Sequence, residues 1–294
     1  MPTALRPRRS MLYMPGSNAR AIEKGRGLAA DAIIFDIEDA VAPDAKALAR
    51  AQIVTAIAAG GYGPKELIVR INGLGSDWFA ADIAAIARSG ADGVLLPKVE
   101  SAETVRETER LLVAAGAPPG LAIWCMMETP MGILRAAEIA AASPRVAGLI
   151  MGTNDLAVEL RCRPTPDGTA FLTSFCLCIL AARAHGLAAI DAVYNDLADD
   201  EGFAESCRRG RTLGFDGKSL IHPKTIDAAN RLYGPGADEI AWARKIVDAF
   251  EKARAEGKGV IAVDGKMVEE LHVREAQRVL AMTGEDAGAS LKSA

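Results

Sequence analysis

Long apolar runs are missing from this sequence. No segment approaches the ~18 consecutive apolar residues that a membrane span requires. The run from Met11 to Met14, behind Arg6, Arg8 and Arg9, is too short for the core of a secretory signal. The expectation is a cytoplasmic protein with no membrane partner. Cysteine is sparse and unpatterned: Cys125, Cys162, Cys176, Cys178 and Cys207 are odd in number, irregularly spaced and without a CxxC pair. Reduced, mostly buried thiols are expected, rather than a disulfide frame or a zinc site. Basic blocks are absent too. The 34 Lys and Arg and 38 Asp and Glu, net charge -4, are spread along the chain and leave no electrostatic footprint for nucleic acid. Any anionic ligand must then be held by a few placed cations. There is no internal repeat, no low-complexity tract and no GxSxG elbow for a serine hydrolase.

What is present is apolar material in short pieces. A hydrophobic content of 50% excludes a fully disordered chain, and 294 residues allow one large α/β domain or two ordinary ones. Eight runs recur: Ser10 to Met14, Ala32 to Asp36, Leu67 to Ile71, Gly93 to Pro97, Leu121 to Met127, Ala147 to Met151, Leu187 to Asp191 and Phe215 to Leu220. Amphipathic stretches lie between them, among them Asp77 to Arg88, Ala102 to Ala115, Gly132 to Ala142 and Thr173 to Ala184. This rhythm predicts an α/β fold, a (β/α)8 TIM barrel, rather than an open sheet with a Gly-rich nucleotide turn after its first strand. Polar residues cluster just after the runs: Asp36, Glu38 and Asp39; Arg70 and Asn72; Lys98; Glu128; Asn154 and Asp155; Asp191; Lys218 and His222. A barrel gathers such strand ends on one face.

The barrel, residues 1–232, is expected to close near Leu232, before the breaker-rich Tyr233-Gly234-Pro235-Gly236. Ala237 to Ala255 reads as one amphipathic helix. An extended piece (Val260 to Val263), a turn (Asp264-Gly265-Lys266) and a final helix from Met267 follow. This small, mainly helical C-terminal extension, residues 237–283, cannot fold alone and must pack on the barrel or on another subunit. Residues 284–294 read as a disordered tail.

Glu128 and Asp155 each close an apolar run, and the two runs are consecutive. Neighbouring strands lie ~4.8 Å apart, so both carboxylates can reach one ion. Two carboxylates plus water and substrate oxygens are a usual Mg²⁺ site, and oxygen ligands suit Mn²⁺ as well. The alternative is that each acid caps the following helix. Arg70, in the buried-looking Val69-Arg70-Ile71-Asn72, needs Glu38, Asp39 or a ligand carboxylate as partner. Asn72 is a further donor or a turn residue. Lys98 raises the possibility of a Schiff base, although the two acids offer a metal route instead. His185 falls in a helical segment and His272 in the C-terminal region, so His222 is the only histidine on the active face, either orienting a loop or doing acid–base work.

Taken together, Leu12-Tyr13-Met14-Pro15-Gly16-Ser17 with Glu23-Lys24, Asp36 to Pro43, Val69-Arg70-Ile71-Asn72, Pro97-Lys98-Val99, the Glu128 and Asp155 segments, Ile221-His222-Pro223 and Asp264-Gly265-Lys266 resemble the HpcH/HpaI aldolase and citrate lyase β-subunit-like family. That family includes malyl-CoA and citramalyl-CoA lyases and malyl-CoA thioesterases. The resemblance runs almost from end to end. It implies a Mg²⁺-dependent barrel acting on a short acyl-CoA, with Glu128 and Asp155 as metal ligands and Arg70 on the substrate. Glu38, Asp39 and Lys98 would support them. Tyr13, Lys24, Ile221 and His222 match positions that contact CoA, with Asn154 beside them and Arg20 as a further phosphate contact. Asp264 matches an aspartate by which a neighbouring subunit completes the site, which implies a homo-trimer or a homo-hexamer.

The expected chemistry is lyase chemistry: chelation of a 3-hydroxyacyl-CoA such as malyl-CoA by Mg²⁺ and C–C cleavage to glyoxylate and a thioester enolate, with Arg70 stabilising charge and Asp264 exchanging a proton. The alternatives are hydrolysis of malyl-CoA to malate and CoA, and a citrate-lyase-like subunit working on an acyl-carrier partner. A metal-dependent pyruvate aldolase would want a histidine base after the early strands, and none is there.

Overall fold

The computed structural model describes residues 6–255, 257 and 259–283. Eight parallel strands close a barrel in simple sequence order: β1 (Ser10–Pro15), β2 (Ala32–Asp36), β3 (Glu66–Arg70), β4 (Gly93–Leu96), β5 (Ala122–Met127), β6 (Val146–Met151), β7 (Ala188–Asp191) and β8 (Gly217–Leu220). Closure runs through β1 and β8, with Met11 beside Ser219 and Leu12 beside Leu220. The strands are apolar almost throughout because helices cover one face and the lumen the other.

The lumen is filled rather than open. Met11, Ala32, Ile34, Ile68, Leu95, Trp124, Met126, Ile150, Ala188 and Ile190 form one buried cluster contributed by alternate positions of the strands. Trp124, fully buried, fits because its neighbours are glycines: a Cβ on Gly148 would lie 2.3 Å from its ring, and one on Gly93 would lie 3.1 Å from it. The Arg8 guanidinium sits 4.9 Å from the Trp124 ring centroid and pairs with Glu66 at 2.6 Å. Arg8 and Glu66 lie at the N-terminal end of the strands, so that end is plugged and the C-terminal end is left for a ligand.

Two helical expectations change. Gly132 to Ala142 is not one helix but two, Pro130–Leu134 and Ala136–Ala140, parted at Arg135 where φ is -104° and ψ 15°. Cys125, Cys178 and Cys207 are buried free thiols, whereas Cys162 is half-buried and Cys176 exposed.

Contacts divide the described residues into two compact units, Arg8–Asn230 and a second made of Arg6 and Pro7 with the described residues from Arg231 to Thr283. In the second, the helix Ala237–Ala255 and the helix Glu270–Ala281 enclose Ile246, Phe250, Val268, Val273 and Val279. Between these helices runs a hairpin of β9 (Val260–Val263) and β10 (Lys266–Glu269). Met267 and Val268 therefore belong to a strand rather than to the final helix. The two-residue loop Asp264-Gly265 has φ of 48° and 74°, the paired left-handed backbone that a tight hairpin requires. His272 closes a capping box, its Nδ1 accepting the Glu269 amide at 3.0 Å. The tail expected at 284–294 lies outside the described residues. Among the described residues, no helix is long and apolar enough to cross a membrane.

Candidate active site

Asp36 and Arg70 are register partners at the ends of β2 and β3, so their side chains leave the sheet on the same side. The guanidinium grips Asp36 with two parallel bonds, Nε to Oδ1 at 2.8 Å and Nη2 to Oδ2 at 2.6 Å. Its remaining nitrogen, Nη1, lies 3.1 Å from Glu38 and 3.7 Å from Asp39. The Tyr13 ring, from β1, covers the guanidinium at 5.0 Å. The main partner is thus Asp36, not Glu38 or Asp39 as the sequence suggests. Burial disfavours the charge on Arg70, but the Asp36 bonds and charge outweigh it and hold the group more firmly protonated than usual. Burial pushes the Tyr13 hydroxyl and the Glu38 carboxyl up, Arg70 opposing in both cases.

Glu128 follows β5 and is 1% exposed. Its Oε1 accepts the main-chain N–H of Lys98 at 2.7 Å. A side chain on Gly152 would sit 2.6 Å from Oε2 and 2.5 Å from the Glu128 Cβ, so glycine at 152 is what lets β6 pass close to this acid. Burial raises the Glu128 carboxyl to about 7, opposed by the Lys98 amide, with the neighbouring charge of Asp155 adding to the rise. Asp155 does not end β6; it lies in the first turn of the helix Thr153–Leu160. Neither acid caps a helix. Thr129 caps Pro130–Leu134 by accepting the Gly132 amide at 3.1 Å, and Gly152 stands at the cap of the next helix.

Lys98 ties the acids together. Its Nζ is 3.2 Å from Asp155 Oδ1 and 3.7 Å from Glu38 Oε1. Partial burial lowers its pKa, but Glu38 and Asp155 more than compensate, so the amine is held protonated. A Schiff-base lysine needs the opposite shift, so the ion pairs of Lys98 lend that reading no support.

Of these groups Tyr13, Asp36, Asp39, Arg70, Glu128 and Asp155 line the polar side of a cavity of about 380 Å³, whereas Glu38 and Lys98 are outside its lining. Its other side is apolar, with Met14, Met126, Met151, Val193 and Ile221. Ser219 lines it as well. Met126 is polarisable packing between two polar groups: its sulfur is 3.5 Å from the Tyr13 hydroxyl and 3.8 Å from Arg70 Nη1. Sequence reasoning passed over Asp36 as a partner, and over Gly152, Ser219 and the methionines as cavity residues.

Several expected residues lie elsewhere. Lys218 and Asp191 do not face the cavity; they pair with each other at 2.6 Å, each 2% exposed. On β8 it is the neighbouring Ser219 that points inward, as the period of a strand requires. Asn72 turns to buried Asp82, which accepts both its amide groups at 2.9 Å and 2.6 Å and also pairs with Arg50 at 2.7 Å. Asn154 lines the cavity while accepting a bond from Asn195 at 2.7 Å. Exposed His222 accepts the Lys224 amide on Nδ1 at 3.1 Å, which is the loop-orienting geometry. Arg20 and Lys24 are exposed on the helix Ala19–Gly25, outside the cavity lining. Asp264 belongs to the second unit, where Lys245 holds its carboxylate at 2.5 Å and 2.6 Å.

Among the described residues, no group of three His, Cys, Asp or Glu side chains stands ready to hold a metal ion unaided. A Mg²⁺ site needs fewer, because water and substrate oxygens complete its octahedron. Glu128 and Asp155 offer hard oxygen donors that both line the cavity, and burial makes the Glu128 charge costly unless a cation meets it. The donor set fits such an ion.

A model of the HpcH/HpaI aldolase/citrate lyase family matches residues 9–223. The chain is 50% identical over 275 residues to a (3S)-malyl-CoA thioesterase of Cereibacter sphaeroides, covering 94% of each chain. It is 41% identical to the citrate lyase subunit beta of Escherichia coli, over 94% of this chain and 93% of that one. Among solved structures, the protein CitE of Mycobacterium tuberculosis in complex with magnesium, acetoacetate and coenzyme A superposes with a TM-score of 0.75 at 32% identity, over 96% of this chain and all of that one. The fold, the order of its motifs and these relatives agree: the chain belongs to the HpcH/HpaI aldolase/citrate lyase family.

Proposed function

We propose that this enzyme hydrolyses a short hydroxyacyl-CoA thioester, (3S)-malyl-CoA, to malate and CoA. One observation carries the choice over C–C cleavage: half of the residues are shared with a (3S)-malyl-CoA thioesterase through 94% of both chains, against 41% with a citrate lyase β subunit. This reverses the order expected from sequence, where cleavage to glyoxylate stands first.

The cavity supports a small acid with a thioester at one end. A divalent ion, Mg²⁺ or Mn²⁺, bound between Glu128 and Asp155 would supply Lewis-acid polarisation of substrate oxygens. Arg70, fixed by Asp36 through Nε and Nη2 and paired with Glu38 through Nη1, lines the cavity with a charge for the substrate carboxylate or for the oxygen on which charge builds. The methionine-rich wall excludes water from the acyl chain. Asp264 of a second copy takes a proton from water as the water oxygen bonds to the thioester carbonyl carbon, the C–S bond breaks, and the same proton passes to the leaving thiolate to give free CoA. Tyr13 and Ile221 at the cavity wall, with exposed Arg20, Lys24 and His222, are assigned to the CoA moiety, and the working form is a homo-oligomer.

C–C cleavage is the second reading, favoured by the 41% identity to citrate lyase subunit beta. Incubating malyl-CoA with the enzyme and Mg²⁺ separates the two. Free CoA and malate without glyoxylate is the expected result. Glyoxylate with acetyl-CoA would establish the lyase, and inertness toward free CoA esters would point to an acyl-carrier partner.

A further inference from the structure

Lys98 touches both sides of the acid cluster by two different parts of itself. Two residues past the end of β4, it adopts a left-handed backbone with φ of 49°, a conformation that a residue with a Cβ takes only against steric resistance. In that conformation its main-chain N–H meets Glu128 Oε1 at 2.7 Å. Its side chain runs to the other acids, with Nζ 3.2 Å from Asp155 and 3.7 Å from Glu38. The two contacts are separable. Any residue type except proline supplies the N–H, whereas only a cation supplies the charge. The side chain is 47% exposed, so the ammonium can leave Asp155 without repacking a core.

Asp155 is also the carboxylate assigned to the divalent ion. An ammonium and a divalent ion that share one carboxylate repel each other at close range.

We propose that Lys98 is a positioning residue acting as a tethered counter-cation: its ammonium holds Asp155 and Glu38 in place before the ion arrives and gives up Asp155 when the ion binds. Its N–H keeps Glu128 set throughout. Lys98 thereby preserves the shape of the site while weakening the affinity for the ion, which keeps the ion exchangeable. The inference rests on the reading of Glu128 and Asp155 as ion ligands.

The test is a calorimetric Mg²⁺ titration of the full chain, comparing wild type with Lys98→Met, Lys98→Asn, Lys98→Arg and Asp155→Asn. Asparagine tolerates the left-handed backbone, so it decides the matter if the methionine variant folds poorly. Both neutral variants are expected to bind Mg²⁺ about tenfold more tightly than wild type, and Lys98→Arg about equally. Damage to the fold lowers affinity, so a gain is not a by-product of damage. If neither neutral variant gains affinity while Asp155→Asn loses it, the counter-cation role is overturned and the ion site stands. If wild type binds no Mg²⁺, or Asp155→Asn binds as wild type does, the ion site falls and the counter-cation with it.

Discussion

Stripping divalent ions and raising the pH from about 5 to about 8 is expected to lower the melting temperature of this protein, and Mg²⁺ is expected to restore it. The reason is Glu128. Its carboxyl is 1% exposed and titrates at about 7 against an ordinary value of 4.5. An acid whose folded pKa lies above its unfolded one binds its proton more tightly in the native state. Its stabilisation is therefore complete below the unfolded value and disappears as the pH rises through the folded value. The interval corresponds to about 3 kcal/mol, which for a chain of this size is on the order of 6 to 10 °C in melting temperature. A divalent ion reverses the sign, because it favours the ionised carboxylate; at a hundred times its dissociation constant it contributes about 2.7 kcal/mol.

Scanning calorimetry at about pH 5, 6, 7 and 8, in EDTA and in Mg²⁺, measures both slopes. Glu128→Gln keeps the shape of the side chain and removes its titration, so it should lose about half of the pH slope in EDTA, the raised Glu38 carboxyl supplying the rest, and most of the Mg²⁺ increment. Equal slopes in EDTA for wild type and Glu128→Gln would refute the assignment of the titration. An equal Mg²⁺ increment in both would refute the assignment of the ion.

Three further substitutions probe the surroundings. Arg70→Lys retains a charge but loses the two-pronged grip on Asp36; thermal denaturation should show a loss of about 2 kcal/mol, and steady-state assays with malyl-CoA a fall of about 100-fold in kcat/KM. Gly152→Ala places a methyl group 2.5 Å from the Glu128 Cβ, so a Mg²⁺ titration should show affinity reduced about tenfold, with a stability cost of about 1 to 3 kcal/mol. Lys218→Met leaves Asp191 buried without its ammonium and should cost about 3 to 5 kcal/mol in a denaturant titration, with kcat/KM at low temperature unchanged; Asp191→Leu added to it should recover much of the loss.

The barrel was legible because each of its strands is buried on both faces, which leaves a short, nearly continuous apolar run with polar residues at its end. The eight runs agree with β1 to β8 to within two residues at every boundary. The break at Arg135 was not legible, since the alanine-rich stretch around it has good helix propensity and only local packing divides it. Met267 and Val268 are ambiguous for a related reason: over so short a stretch the apolar spacing suits a helix or a strand, and it is the Asp264-Gly265 turn that selects the hairpin.

Within the site, residue type was readable but direction was not. Acids at strand ends announced Glu128 and the neighbourhood of Asp155. Which polar residue faces the cavity depends on the side of the strand, and a shift of one residue exchanges lumen for outer layer. That is why sequence position alone puts Lys218 on the active face, while it is Ser219, one residue on, that lines the cavity. Register decides Arg70 in the same way: Asp36 lies beside it across β2 and β3, whereas Glu38 and Asp39 are beyond the strand end. Lys98 is the limiting case. Its left-handed backbone has no glycine to advertise it, and the contact it makes with Glu128 comes from a main-chain N–H that every residue except proline possesses. Chemistry supplied by side chains can be anticipated from a sequence; chemistry supplied by the backbone becomes visible only once the chain is folded around it.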